Sequence, residues 1–257
     1  MMNGYMPLQP EFNCFATYME QREQFATDNS RVPLLCYEFL TDETFSKPIT
    51  AIPDGCIDIL ISCTQKPEAY LYGSVLQRIP LDLLPNTKYF GVRFFPHHLK
   101  RTNLSIQELT SNRVPLHDFS KIDFYCIEKI ADQGTFADKR ELFLREIGER
   151  IFSPTPSHLI RYALERIAET KGNISIKDLG LEVNYSSRYL RLLFEEYVGL
   201  PPKLFSQITR FQYALQDLLH HRRKENLWDN GYYDQAHFIR EFKKFGSLSP
   251  KLFLESL

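Results

Sequence analysis

The sequence predicts an α+β protein, in which a β-rich N-terminal domain is followed by an all-α domain. Two observations support this fold class. Up to about residue 100 the apolar residues form short runs separated by Pro, Gly and Asn, and beyond it they recur at the three- and four-residue spacing of helices. The last hundred residues also contain an internal repeat of a helical unit.

Four segments of the first part are rich in Ile, Val, Phe and Tyr and predict strands: 34–41, 56–64, 70–79 and 88–95. Short strands at this spacing are typical of a small barrel or sandwich. Amphipathic helical stretches follow at 119–130 and 142–151, and such faces either pack within one chain or pair two copies. Pro154 and Pro156 then interrupt the helical pattern. The predicted organisation is a β-rich domain at 1–130, a helical connector and linker at 131–157, and a second domain at 158–257.

The composition is that of a soluble globular chain, with 43% hydrophobic and 25% charged residues. No stretch approaches the roughly 18 apolar residues that cross a bilayer, so we expect a cytoplasmic protein with no membrane partner. The five cysteines form no CxxC pair, which disfavours a disulfide framework or a zinc site. Residues 158–257 hold 15 Lys and Arg against 12 Asp and Glu, whereas the preceding residues hold 16 against 20. This asymmetry favours nucleic-acid binding at the C-terminal end.

The repeat aligns residues 185–205 with residues 233–253, at an offset of 48 positions. The matched pairs include Leu190 with Phe238, Phe194 with Phe242, Leu200 with Leu248, and the Pro-Lys-Leu-Phe segments 202–205 and 250–253. Each copy predicts a helix with one buried face, a turn around a glycine (Gly199 or Gly246), and a further helix that begins at Pro.

A partner helix is predicted upstream of the first copy. Ser175 and Asp178 resemble a capping box, Gly180 allows two helices to approach closely, and Asn184 suits a turn that needs positive φ. Helix, tight turn and second helix together form a helix-turn-helix, whose second helix enters the major groove of DNA. The outer face of that helix carries groups that can bond phosphate and guanine, namely Ser187, Arg188 and Arg191.

The segment 231–245, GYYDQAHFIREFKKF, is followed by Leu-Ser-Pro at 248–250. It is close to the C-terminal signature of the AraC/XylS family of transcription regulators, and residues 158–257 resemble the DNA-binding domain of that family. The resemblance implies two helix-turn-helix units joined by one long helix from Pro202 to about Leu219, with reading helices around 186–196 and 234–245. The family's base-reading positions fall on Arg188, Arg191, Leu192, Gln235, Ala236, Ile239 and Arg240. The predicted phosphate contacts are Ser187, Lys243 and Lys244.

The sequence departs from the family pattern between the joining helix and Gly231. Only eleven residues, HHRRKENLWDN at 220–230, stand where the family has a loop and a capped helix. We expect a shortened supporting helix with Trp228 filling the gap, and a first unit that supplies most of the specificity. Additional phosphate contacts would come from Arg222, Arg223 and Lys224. His237 is expected to be a packed, hydrogen-bonded residue.

The N-terminal segments 52–61 and 90–96 resemble a β-rich domain attached to some AraC-like regulators. This resemblance implies a cupin-like sensor or partner-binding domain over about residues 10–130. Asp58 lies in an apolar strand, so we expect it to pair with Arg93. The pair is either structural or a site for a small polar effector, and both residues are therefore candidates for effector binding.

Reactive and metal sites are not expected in this domain. Cys56 has no flanking His or Arg that would stabilise a thiolate. His97, His98 and His117 lack the strand-borne spacing of a cupin metal site. We therefore predict no cofactor and no metal.

Three functions remain to be compared. The first is a ligand-responsive, sequence-specific transcription regulator, with double-stranded DNA, a small-molecule effector, RNA polymerase and a second copy of the chain as partners. The second is a DNA-binding module with a weakened second unit, controlled by a partner protein through the N-terminal domain. The third is an enzyme, which we do not expect because the sequence contains no GxSxG, P-loop, HExxH or Rossmann motif.

Overall fold

A computed structural model describes residues 5, 7–14, 17–43, 48–102, 104–120, 122–153, 157–220 and 231–257. It confirms the α+β class, with a β-rich N-terminal part followed by a helical C-terminal part. The strands are β1 Met19–Ala26, β2 Arg31–Leu40, β3 Thr50–Ala51, β4 Ile57–Ser62, β5 Ala69–Tyr72, β6 Ile79–Pro80, β7 Lys88–Phe94 and β8 Arg113–Pro115.

Six of these strands pair antiparallel in the order β1-β2-β7-β4-β5-β8, and β3 pairs with β6 in a separate ribbon. The strands that we expected in a barrel or sandwich therefore form an open sheet in the described part of the chain. Strand β1 was not predicted, because its sequence MEQREQFA is mostly polar. It lies at the edge of the sheet and is largely exposed, which is where charged strands are found.

One face of the sheet packs against five short helices: α1 Ile106–Leu109, α2 Leu116–Ser120, α3 Phe124–Ala131, α4 Phe136–Glu146 and α5 Gly148–Ile151. Phe90 and Val92 from the sheet are fully buried in one apolar cluster with Ile130, Phe143 and Ile151 from the helices. The amphipathic stretches 119–130 and 142–151 thus place apolar residues in the core of this chain.

The C-terminal part consists of α6 His158–Glu169, α7 Ile176–Glu182, α8 Ser187–Tyr197, α9 Pro202–His220, α10 Gln235–Gly246 and α11 Pro250–Ser256. Helix α9 is the long joining helix, and its bounds agree closely with the expected ones. A side chain caps each of four helices by accepting from the backbone N–H three residues ahead, and these caps are Ser175, Ser186, Asp234 and Ser249.

Residues with positive φ mark the turns of both units, and Gly199 (φ 76°) in the first unit aligns by the 48-residue offset with Ser247 in the second. Asn184 has a φ of 57° in the turn between α7 and α8, as its side chain predicted. A Cβ on Gly180 would lie 2.6 Å from the backbone oxygen of Tyr185, so the close approach expected there is present. In the second unit Gly246 ends α10, and the left-handed residue is Ser247, with a φ of 61°. The expected turn at Gly246 therefore lies one residue later.

The N-terminal part packs directly on the joining helix. The C-terminal apolar cluster includes four buried residues from the N-terminal part: Tyr5, Ile52, Cys56 and Phe95. Arg78, just before β6, donates its backbone N–H to the oxygen of Phe245 at 2.9 Å and places its guanidinium over the ring of Phe253. Thr110 also donates its hydroxyl to the backbone oxygen of Gly199 at 3.1 Å. Both copies of the repeat therefore contact the N-terminal part.

Candidate nucleic-acid interface and ligand cavity

The first unit presents one polar helix face to solvent. On α8, Leu190 and Phe194 are fully buried against α7 and α9, which fixes the opposite face outward. That outward face carries Ser187, Arg188, Arg191 and Leu192, all of them exposed. The Arg191 guanidinium is 2.9 Å from the Glu195 carboxylate but remains 66% exposed. Leu192 is 55% exposed, which shows that it does not pack in the core.

The second unit repeats this pattern on α10. Phe238 and Phe242 are buried, in agreement with the internal repeat. The exposed residues on the other side are Gln235, Ala236, Arg240, Lys243 and Lys244. Ile239 differs from them, because it is half-buried and packs against the apolar cluster. His237 accepts from the backbone N–H of Tyr233 at 3.3 Å through Nδ1.

A buried ion pair attaches α10 to the joining helix. Glu241 is almost fully buried, and both of its oxygens accept from the Arg210 guanidinium at 2.9 Å. The Arg210 guanidinium also lies over the ring of Tyr232, 5.0 Å from its centroid. Sequence analysis did not identify this pair. The available signal was Glu241 itself, a carboxylate placed among the phenylalanines of the buried helix face.

The short segment between α9 and Gly231 falls outside the described residues. The expectations for Arg222, Arg223, Lys224 and Trp228, and the expected shortening of the supporting helix, all concern this segment. They stay predictions.

A cavity of about 210 Å³ lies between the other face of the sheet and the β3–β6 ribbon. Its walls come from β2, β4, β5 and β7 on the sheet side and from the loop 52–56 on the side of the helical domain. Apolar and aromatic residues make up much of the lining, including Phe12, Tyr37, Leu60, Tyr72, Ile79 and Leu81.

The predicted pair of Asp58 and Arg93 lies in this cavity. The two residues are direct partners across β4 and β7, and the Nε of Arg93 is 3.0 and 3.1 Å from the two oxygens of Asp58. The hydroxyl of Tyr37 donates to Asp58 at 2.7 Å. A second carboxylate, Asp54, lies 3.4 Å from the same Nε. Asp54 also accepts from the side chain of Gln9 and from the backbone N–H of Cys56, each at 2.9 Å.

Burial governs the ionisation of these groups. It raises the pKa of Asp54, with the neighbouring Asp58 acting in the same direction and Arg93 in the opposite one. Burial also raises the pKa of the Cys56 thiol well above its ordinary value. A reactive thiolate requires the opposite shift, so Cys56 has the character of a buried structural thiol.

Sequence analysis did not identify Asp54, because Pro-Asp-Gly at 53–55 was explained as a turn. The turn exists, and Gly55 has a φ of 74°, but the loop is buried rather than exposed. Its inner side lines the cavity through Ile52, Asp54 and Cys56, whereas its outer side packs on α9. A Cβ on Gly55 would lie 2.6 Å from the Phe205 ring.

The histidines considered for metal binding do not come together. His97 and His98 are buried with ring centroids 3.9 Å apart, whereas His117 is exposed beside Asp118. Among the described residues, no group of three or more His, Cys, Asp or Glu side chains is placed to hold a metal ion. In the same part of the chain no helix combines the length and apolar character that a membrane span requires.

Comparison with known families agrees with the duplicated helical geometry. A family model described as a helix-turn-helix domain matches residues 179–256, which include both copies of the repeat. The C-terminal part of the chain therefore contains a helix-turn-helix domain of the AraC type. A domain of this type points to DNA-binding transcription regulation.

The β-rich part of the chain matches a second model, for a domain of unknown function (DUF6597), over residues 34–115. This range extends from β2 to β8 and contains Asp54, Asp58 and Arg93. No functionally curated protein is significantly similar to the chain.

Several solved structures resemble the chain. ToxT from Vibrio cholerae is 11% identical, with 93% of this chain and 98% of ToxT aligned at a TM-score of 0.48. ToxT bound to an unsaturated fatty acid is 14% identical, with 94% and 96% aligned at a TM-score of 0.43. The C-terminal domain of AraT, a response regulator from Geobacillus stearothermophilus, is 21% identical, with 39% of this chain and 87% of that domain aligned at a TM-score of 0.37.

Proposed function

We propose that the chain is a sequence-specific, ligand-responsive transcription regulator that binds the major groove of DNA through α8 and α10. The observation that carries this proposal is the repeated exposure pattern of the two helices. Each buries its Leu or Phe residues against α9 and turns Arg and other polar side chains to solvent. A helix of this kind fits the major groove, where it can contact base edges and phosphates together.

Arg188 on α8 and Arg240 on α10 are the leading base-reading residues of the proposal. Both are exposed, and neither has an ion-pair partner among the described residues, so each guanidinium is available for the two acceptors of guanine. Arg191 would exchange its exposed pair with Glu195 for a base or a phosphate.

The other predicted contacts have separate roles in this proposal. Gln235 would bond a base edge, and Leu192 and Ala236 would contact thymine methyl groups. Ile239 would contribute mainly by packing, since it is half-buried. Phosphate contacts would come from Ser187, Lys243 and Lys244, which are exposed on the same faces.

The cavity loop supports the ligand-responsive part of the proposal. A molecule in the cavity would contact Ile52, Asp54 and Cys56, which belong to the same five-residue loop as Pro53 and Gly55. Pro53 accepts a hydrogen bond from Gln212 on α9, and Gly55 packs on Phe205 of the same helix. A ligand that favours one arrangement of this loop would therefore bias the helix that joins both DNA-binding units.

Selection of binding sequences from a random duplex library tests this function, with the full-length protein at near-physiological salt. Two enriched blocks about one helical turn apart are expected if α8 and α10 both read bases. One block would instead support the module with a weakened second unit. No enrichment, either with the protein alone or with a ligand of the cavity, would overturn the proposal. The variant carrying both Arg188→Ala and Arg240→Ala is the matched control and should lose the preference at one base position in each block.

A further inference from the structure

We infer that the cavity takes a small organic cation, in which a protonated amine is carried on an apolar body. The inference rests on the proposed function only in treating this cavity as the effector site. Its evidence is the balance of charge, the hydrogen-bonding capacity and the lining of the cavity itself.

When Asp54 is ionised, the charged groups of the cavity leave an excess of one negative charge. Those that line it are Asp54, Asp58, Asp82, Arg93 and Arg113. Asp82 and Arg113 pair with each other at 3.3 Å and are the more exposed of the five. In the interior, two carboxylates share the single guanidinium of Arg93. A buried charge without a partner is unfavourable, so a ligand with one positive charge would complete the cluster.

Asp58 has the hydrogen-bonding capacity to receive such a ligand. A carboxylate offers about four acceptor sites, and in the described structure Asp58 accepts from Tyr37 and from the Nε of Arg93. Its side chain is 18% exposed, whereas that of Asp54 is 5% exposed. Asp58 is therefore the carboxylate that an ammonium group, with its three N–H donors, can reach from the cavity.

The remaining lining fits an amine with an apolar body. Phe12, Tyr37 and Tyr72 contribute aromatic surface. The guanidiniums of Arg93 and Arg113 already lie over the rings of Tyr37 and Tyr72, so these rings form part of a surface that attracts cations. Leu60 and Ile79 offer apolar surface for the rest of the molecule. The volume of about 210 Å³ is smaller than the roughly 300–1,000 Å³ of sites for drug-sized ligands, so the body is at most about one ring or a short chain.

An anion of the same size is disfavoured by the same arrangement. It would add a second unbalanced negative charge beside Asp54 and Asp58, and the Nε of Arg93 is already occupied by them. Burial, which raises the pKa of Asp54, also predicts the pH dependence. Because Asp54 loses its proton as the pH rises, affinity for the cation should increase with pH.

The test compares three probes of nearly equal size on the full-length protein without DNA: 2-phenylethylamine, 3-phenylpropanoate and 2-phenylethanol. Calorimetry and thermal unfolding should show that only the amine binds and raises the Tm, with tighter binding at pH 8 than at pH 5. Absence of amine binding, or equal or stronger binding of the carboxylate or the alcohol, would overturn the inference.

Asp58→Asn should weaken amine binding by at least about tenfold, since the charge-assisted contact is lost. Asp118→Asn, on the exposed surface of α2, is the matched control and should leave it unchanged. If Asp58→Asn does not fold, the comparison of the three probes and the pH dependence of amine binding, both measured on the wild-type protein, still test the inference. DNA is absent from these assays, so amine binding without sequence enrichment would refute the proposed function alone, and enrichment without amine binding would refute this inference alone.

Discussion

Gln212, within the joining helix α9, donates its side-chain amide to the backbone oxygen of Pro53 at 2.7 Å. Its oxygen accepts from the backbone N–H of Leu8, also at 2.7 Å. One buried amide thus satisfies the cavity loop and the N-terminal segment together. This hydrogen bond connects the loop that lines the cavity to the helix that joins the two helix-turn-helix units.

Replacing Gln212 by Ala should therefore destabilise the protein. The change leaves the buried backbone oxygen of Pro53 and the part-buried N–H of Leu8 without this partner, and the cost for a fully buried group is about 1–3 kcal/mol. Urea denaturation of the full-length variant measures the loss in the free energy of unfolding. Gln107→Ala, at an exposed position of α1, is the control and should change it by less than about 0.5 kcal/mol. An equally small change in Gln212→Ala would show that the bond does not hold the two parts together.

Arg188→Ala and Arg240→Ala should each reduce affinity for the selected duplex by about 1–3 kcal/mol and remove the preference at one base position. Fluorescence anisotropy with the selected site and single-base variants measures both effects. Arg145→Ala, at an exposed position of α4 in the β-rich part, should bind as the wild type does. Uniform weakening on every sequence would assign these two arginines to phosphate contacts instead.

Lys243→Ala should weaken binding equally on all duplexes. A phosphate contact releases counterions, so its loss lowers the slope of log affinity against log salt by about one. Titrations at several salt concentrations give this slope, with Lys203→Ala, exposed on α9, as the comparison. An unchanged slope would remove Lys243 from the DNA interface.

Asn184 tests the turn of the first unit. Its φ of 57° is costly for a β-branched residue and costless for glycine. Asn184→Val should thus lower the free energy of unfolding by about 1–2 kcal/mol, whereas Asn184→Gly should be nearly neutral. Thermal unfolding of both variants distinguishes backbone conformation from side-chain loss, since equal destabilisation by Val and Gly would implicate the Asn side chain.

His98 gives the protein a defined sensitivity to acid. Burial lowers the pKa of His98 to about 3, and the nearby Arg161 acts in the same direction. The folded protein therefore keeps His98 neutral at pH values where the unfolded chain protonates it. The stability that depends on neutral His98 is fully present above about pH 6.5 and is lost progressively as the pH falls towards 3. At pH 5 the deficit due to His98 is about 2 kcal/mol.

The variant His98→Leu should consequently lose about 2 kcal/mol less than the wild type between pH 7.5 and pH 5. Denaturation at the two pH values measures this difference, and the exposed His117→Leu should retain the wild-type dependence. Parallel pH profiles for wild type and His98→Leu would refute the assignment to His98.

The sequence predicted the helical domain better than the β-rich one, for a physical reason. The duplicated helices carry apolar residues at the same positions twice, so Phe194 and Phe242 identified the buried face of each helix. The opposite face of each helix was then expected to be exposed. The ends of these helices were also visible, because Ser175 and Pro202 mark helix starts whatever the tertiary structure is.

The cavity required tertiary information. Asp58 and Arg93 could be paired because both interrupt apolar strands, but Asp54 lies in a turn sequence that usually faces solvent. It is buried only because α9 covers the loop, and nothing local to residues 53–55 encodes that contact. The polar edge strand β1 escaped prediction similarly, since its pairing with β2 does not need an apolar face.

The packing of Phe205 and Phe253 bears on how the chain can be divided for study. Phe205 is covered by Gly55, and the ring of Phe253 lies under the Arg78 guanidinium, so residues from the β-rich part shield the back of the helical part. Cutting the chain within 154–156 would expose those rings, together with the surface of the helical part against which Tyr5 packs. A fragment of residues 158–257 would therefore expose an apolar surface that favours self-association. That self-association could be mistaken for dimerisation of the full-length chain.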